Sequence, residues 1–127
     1  MSLTAEQIDQ ATDIRIEKIS VPEWGGHVYL RTLSARQVIE WQQSIDDDKA
    51  KKASFRERLV AMAICNEGGI PLYADLVDGA DRLGKRNNTV LHRVFTKAVE
   101  VNRINDMSIA DVAGNSDATQ SDSSPSD

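Results

Sequence analysis

From residue 13 onward, large apolar side chains recur first at every second position and then at every third or fourth. Residues 13–21, Asp-Ile-Arg-Ile-Glu-Lys-Ile-Ser-Val, alternate as a half-buried strand does. Ile14 and Ile16 share one parity, whereas Ile19 and Val21 share the other, so the alternation slips once near Glu17-Lys18. A bulge there would return both pairs to one face, and a strand cut short is the alternative. Pro22 to Gly26 form a turn, with Gly25-Gly26 offering the positive φ angles of a tight hairpin. Residues 27–33 alternate again, with Val28 and Leu30 opposite Tyr29 and Arg31. So short a connection makes the two strands antiparallel.

The period then lengthens. Ser34 with Gln37 three residues on is a capping box, and Val38, Trp41 and Ile45 form one helical stripe behind it. That helix runs into Asp46-Asp47-Asp48, whose charges oppose the helix dipole, and the spacing predicts a stop there. A calcium loop alternates its ligands around a central glycine, so these three aspartates read as a solvated loop. A second helix is expected over about Ala53 to Asn66, with Phe55, Leu59, Met62 and Ala63 on its stripe and Cys65 near its end. Gly68-Gly69 and Pro71 supply its left-handed cap and its stop. A short third helix is expected near Ala74 to Leu83. The last is expected from about Thr89 to Asn105, capped by Asn88 and striped by Leu91, Val94, Phe95, Ala98 and Val101. The pattern implies an α+β fold, a small antiparallel hairpin or sheet packed against about four helices.

The flanks differ from this body. Residues 1–12 carry only Leu3 and Ile8 as sizeable apolar positions after Met1 and read as a mobile arm or a short helix. Residues 13–105 make a single domain, and the chain of 127 residues is long enough to bury a core without staples. Residues 106–127 are Ser, Asp, Thr, Ala and Gly with almost no large apolar side chain, which predicts a disordered tail. Charge divides the same way. All 15 Lys and Arg precede the tail and are balanced by acids in residues 1–105, so the net charge of −5 resides in Asp106, Asp111, Asp117, Asp122 and Asp127. A neutral body with an acidic tail has no bulk field for nucleic acid.

Candidate chemistry is sparse. Cys65 is the single cysteine, which excludes an intrachain disulfide and fits a reducing compartment; it reads as a small buried apolar residue. His27 and His92 are the only histidines and have no companions at ligand spacing, so no metal is expected. No phosphate-cradling glycine loop, no nucleophile elbow and no acid–base pair stands out, so neither a catalyst nor a cofactor is expected. The opening residues lack the basic and apolar regions of a signal peptide, and no apolar run approaches the length of a membrane span. Arg82, Lys85, Arg86, Arg93 and Lys97 cluster in sequence and carry the rival reading, a small nucleic-acid-binding regulator. Acids interleave with them and aromatics do not, which favours a mixed solvated face. Trp24 at the hairpin turn either folds back over its sheet or protrudes toward a partner, with packing the heavier reading. Tyr29 stands on the strand face opposite Val28 and Leu30. Trp24 and Tyr29 are therefore the candidate partner-binding residues.

The block order carries a resemblance. A hairpin with Pro-Glu-Trp-Gly-Gly-His-Val-Tyr-Leu-Arg, then Leu-Ser-Ala-Arg-Gln opening a helix, is similar to the tail assembly chaperones of long-tailed bacteriophages. So are Cys-Asn-Glu-Gly-Gly-Ile-Pro-Leu-Tyr over residues 65–73 and Val-Leu-His-Arg-Val-Phe-Thr-Lys-Ala-Val-Glu-Val-Asn in the last helix. The similarity spans about residues 13–105, with Glu67 a mild departure where the family often has an Asp-Gly-like turn. The resemblance implies a small α+β module, present during tail assembly in the host cytoplasm and absent from the mature virion. It implies binding to the tape measure protein, which it keeps soluble, and help in recruiting tail tube subunits. It also implies that a longer form can arise by frameshifting near the end of the reading frame. A sheet of two or three strands leaves an open edge, which predicts a homo-oligomer.

Overall fold

A computed structural model of the chain describes residues 1–45 and 53–104. The aspartate run at 46–48 and the acidic tail therefore lie outside the described residues. The fold is α+β, with three antiparallel strands in the order β1 (Ile16–Val21), β2 (Gly26–Arg31), β3 (Ile64–Cys65). The described α-helices are α1 (Ala5–Asp9), α2 (Ala35–Ser44), α3 (Phe55–Ala63), α4 (Leu76–Leu83) and α5 (Asn88–Asn102).

Local chemistry explains the helix starts. The Ser34 hydroxyl accepts from the Gln37 amide at 3.1 Å while the Gln37 side chain accepts from the Ser34 amide at 2.9 Å, so the expected capping box is formed. Thr4 and Gln7 repeat the device on α1, a helix with no buried residue. Asp75 caps α4 through the amides of Val77 and Asp78. The cap of α5 is Asn87 rather than Asn88; its carboxamide oxygen accepts from Val90 at 3.1 Å. Two consecutive asparagines offer the same chemistry, and burial of Val90 and Leu91 selects the register.

The core lies between one face of the sheet and the helices. α5 crosses β1 and β2 and packs on α3, which in turn holds α2 and α4. Leu30, Trp41, Leu59, Val60, Val94 and Ala98 are wholly buried there. The Trp41 indole donates to the Phe55 carbonyl at 3.0 Å and ties α2 to the start of α3. At the far end, Arg103 takes a left-handed conformation (φ 55°), and the Ile104 amide turns back to the Val99 carbonyl. Ile104 then drops into the core, an apolar contact that accompanies helix ends of this kind. Asn102 locks this end to the sheet by accepting from the Leu33 amide at 2.6 Å and donating to the Arg31 carbonyl at 3.3 Å.

Four sequence expectations are corrected. β1 pairs with β2 in unbroken register from Ile16↔Arg31 to Val21↔Gly26, so there is no bulge at Glu17-Lys18. The parity slip has another cause: Ile19 and Val21 face the core, and Ile14 and Ile16 are 44% and 38% exposed. The hairpin connection is a 3₁₀ turn over Pro22–Trp24 in which only Gly25 has positive φ; Gly26 is already strand. The second helix ends at Ala63, and Ile64 and Cys65 form β3 instead of its last turn. The Arg31 guanidinium donates through Nε and Nη2 to the Met62 carbonyl and satisfies that helix end, while a β-branched residue follows at Ile64. Gly69 (φ 88°) therefore serves a turn after β3 and does not cap a helix. One further glycine, Gly79 on α4, has a packing role. A Cβ there would stand 2.7 Å from the Tyr73 Cβ, so glycine permits a close approach.

Candidate interaction surface

Strand register divides the sheet into two unlike faces. Ile19, Val21, Val28, Leu30 and Ile64 point to the helices. The opposite face carries three cross-strand rows, Ile16 with Arg31, Lys18 with Tyr29 and Cys65, and Ser20 with His27. No carboxylate stands in those rows.

The loop after β3 closes over part of this outer face. The Asn66 carboxamide oxygen accepts from the amides of Gly68 (2.8 Å) and Ile70 (3.0 Å), and the Asn66 amide donates to the Ile70 carbonyl. Pro71 bridges to Cys65, and the Leu72 amide donates to the Ile64 carbonyl. The turn folds back far enough that a Cβ on Gly69 would lie 3.0 Å from the Ile16 Cδ1. Cys65 is buried beneath, its thiol directed at the Tyr29 carbonyl at 3.6 Å. Burial pushes the thiol up from its ordinary value despite the nearby Arg31 charge, which keeps it protonated and unreactive at neutral pH. Ile70 and Leu72 are 64% and 52% exposed on this loop, and Ile16 is exposed beside it. Tyr29 is half-buried and meets the His27 ring edge-on at 5.3 Å.

The two sequence candidates are not brought together. Tyr29 stands on the outer face. Trp24 is half-buried and packs against the core cluster. Its turn is clamped to α5 by Glu23, whose two carboxylate oxygens accept from Arg93 at 2.6 and 3.0 Å. That bidentate hydrogen bond holds the Glu23 carboxyl down at about 2 and raises the Arg93 guanidinium. Ile70 and Leu72 lie between the expected second and third helices and are not among the sequence candidates. The signal was present in Asn66-Glu-Gly-Gly, an Asx-turn sequence flanked by apolar residues on both sides.

The basic cluster comes apart. Arg93 is held by Glu23, and Lys97 lies 3.5 Å from Glu100. Arg82, Lys85 and Arg86 gather elsewhere, beside Tyr73. His27 and His92 are also separate; His92 lies 3.3 Å from Arg56 and against Phe95. Among the described residues no three His, Cys, Asp or Glu side chains converge as metal ligands, and no helix is long and apolar enough to cross a membrane.

The solved structure of the bacteriophage HK97 tail assembly chaperone superposes with a TM-score of 0.56 at 23% identity, covering 76% of this chain and 90% of that one, a likeness of fold. No curated protein matches the sequence. The family model described as phage tail assembly chaperone matches residues 2–118, nearly the whole chain. The chain therefore belongs to the phage tail assembly chaperone family.

Proposed function

We propose that this protein binds the tape measure protein in the host cytoplasm, keeps it soluble, and helps recruit tail tube subunits around it. The observation that carries this reading is the family match across residues 2–118. It acts by holding, not by catalysis, and is left out of the mature virion. A tape measure chain is long and helical, with apolar stripes that need cover before the tube forms. Exposed apolar side chains suit such a stripe, Ile16 on the sheet and Ile70 and Leu72 on the loop after β3. Trp24 contributes by keeping the hairpin in shape, since its ring packs on the core.

Domain organisation follows the same reading, with an arm over residues 1–12, one body over 13–105 and an acidic solubilising tail after it. The outer edge of β1 has no neighbouring strand among the described residues, and pairing there between copies would give a homo-oligomer.

Co-expression with the cognate tape measure protein tests the reading. Soluble tape measure is expected to rise several-fold with this chain, and less so with Ile70→Ser/Leu72→Ser. Equal insolubility with and without the protein overturns it. Light scattering at rising concentration tests self-association; a monomer throughout removes the edge-pairing component.

A further inference from the structure

We infer that the cup formed by Tyr73, Arg82, Lys85 and Arg86 is a docking site for a carboxylate-rich peptide segment, separate from the outer sheet face and independent of the tape measure reading. The cup encloses about 370 Å³ at the C-terminal end of α4. Three of its four lining residues are cations, in a chain whose net charge is −5.

Its backbone and its Tyr73–Arg82 pair are held in place. The Arg82 guanidinium lies over the Tyr73 ring at 5.0 Å and reaches Asp78 one turn back at 3.6 Å. Tyr73 is itself held where Gly79 lets it approach α4. The amides of Lys85 and Arg86 turn back to the carbonyls of Arg82 (3.2 Å) and Leu83 (3.0 Å), which fixes the backbone that carries both exposed side chains. Among the described residues, neither Lys85 nor Arg86 has an ion-pair partner. Two cations next to an oriented guanidinium thus await acidic groups. Planar carboxylates suit an Arg fork through paired, charge-assisted hydrogen bonds.

Charge complementarity alone does not separate an acidic peptide from a nucleic acid, but three features do. Arg82 already lies over the ring of Tyr73, the one aromatic side chain lining the cup, and would compete with a base for that face. Arg93 and Lys97, the cations that would extend a phosphate track, are ion-paired. Asp78 already engages Arg82 at 3.6 Å on one side of the cup, where a continuous phosphate backbone would meet it. A short peptide places a few carboxylates in the cup and avoids that flank.

The test is fluorescence anisotropy of the full-length chain with a labelled ten-residue peptide of alternating glutamate and serine, and in parallel with a labelled ten-nucleotide oligothymidylate. We expect peptide binding that weakens with salt and falls by roughly tenfold or more in Lys85→Gln/Arg86→Gln. These two side chains are exposed, so the variant's melting temperature should match the parent's and confirm an intact fold. Arg82→Gln is the second variant and should weaken the peptide by a smaller factor. The inference is overturned if the peptide does not bind, or binds equally to the parent and Lys85→Gln/Arg86→Gln. It is equally overturned if oligothymidylate binds more tightly than the peptide through the same residues, which would make the cup a nucleic-acid site.

Discussion

The two faces of the small sheet come from the same strands and have opposite fates. The inner face is closed by α3 and α5, with Leu30 and Val21 wholly buried. Over the outer face the described residues place one loop, and Ile16 together with Ile70 and Leu72 of that loop remains exposed. One face stabilises the fold, and the other is left with apolar surface that the fold does not need. In a family whose members handle other chains, surface spared by folding is surface available for holding.

The largest effect should come from the inner side. Trp41→Ala removes a fully buried indole and its hydrogen bond to Phe55, and should cost ~3–5 kcal/mol in a urea unfolding experiment. A loss under 1 kcal/mol would mean that the helical layer is not the main source of stability. Asn102→Ala should cost about 1–3 kcal/mol, because it leaves the partly buried Leu33 amide without its acceptor at the seam between α5 and the sheet. Gly79→Ala sets two terms against each other. Helix propensity favours alanine by ~1 kcal/mol, whereas the clash with the Tyr73 Cβ costs about 1–3 kcal/mol. The clash should win by a small margin, read as a lowered melting temperature. A raised one would show that Tyr73 gives way.

On the outer side the expected stability effects shrink. Ile70→Ser/Leu72→Ser should change unfolding free energy by no more than about 0.5 kcal/mol per site, while lowering the yield of soluble tape measure protein. If stability fell with the yield, the contrast between the faces would dissolve. The smallest effect belongs to the Glu23–Arg93 clamp. Glu23 titrates at about 2 in the fold against an ordinary value of 4.5. Its contribution is therefore complete above pH 4.5 and lost as pH falls toward 2, and Glu23→Gln should flatten that part of a melting-temperature profile. The pair is solvent-exposed, so the change at neutral pH should be slight.

Much of the framework was readable from local signals. The Ser34/Gln37 box, the Val94-Phe95-Ala98 stripe and the alternation over residues 27–33 each need only neighbours within a turn or two; the first two appear as read, and the third as the strand Gly26–Arg31. The failures share a cause. Ile64-Cys65 sits at the end of a helical stripe, and what makes it a strand is β2, over thirty residues away in sequence, offering Tyr29 and Leu30 as partners. The surface followed the same pattern. The place of Tyr29 on the outer face was readable because a strand has two faces, but the placement of Ile70 and Leu72 depends on a turn around Asn66 that brings their loop back to Ile16. Trp24 was legible only as a pair of alternatives; its ring packs against the core, and Glu23 and Arg93 hold its turn to α5. The five-residue basic cluster looked continuous because sequence spacing does not reveal which cations already have acids beside them.

Periodicity, caps and charge balance thus determined that this chain makes a neutral α+β body with an acidic end, since those features depend on interactions within one or two turns. Which face of the sheet the helices would cover, and which apolar residues would be left in solvent, was decided by tertiary structure. Those outcomes depend on pairings between β2 and β3 and between α5 and the sheet, and contacts of that range leave no periodic mark on the sequence.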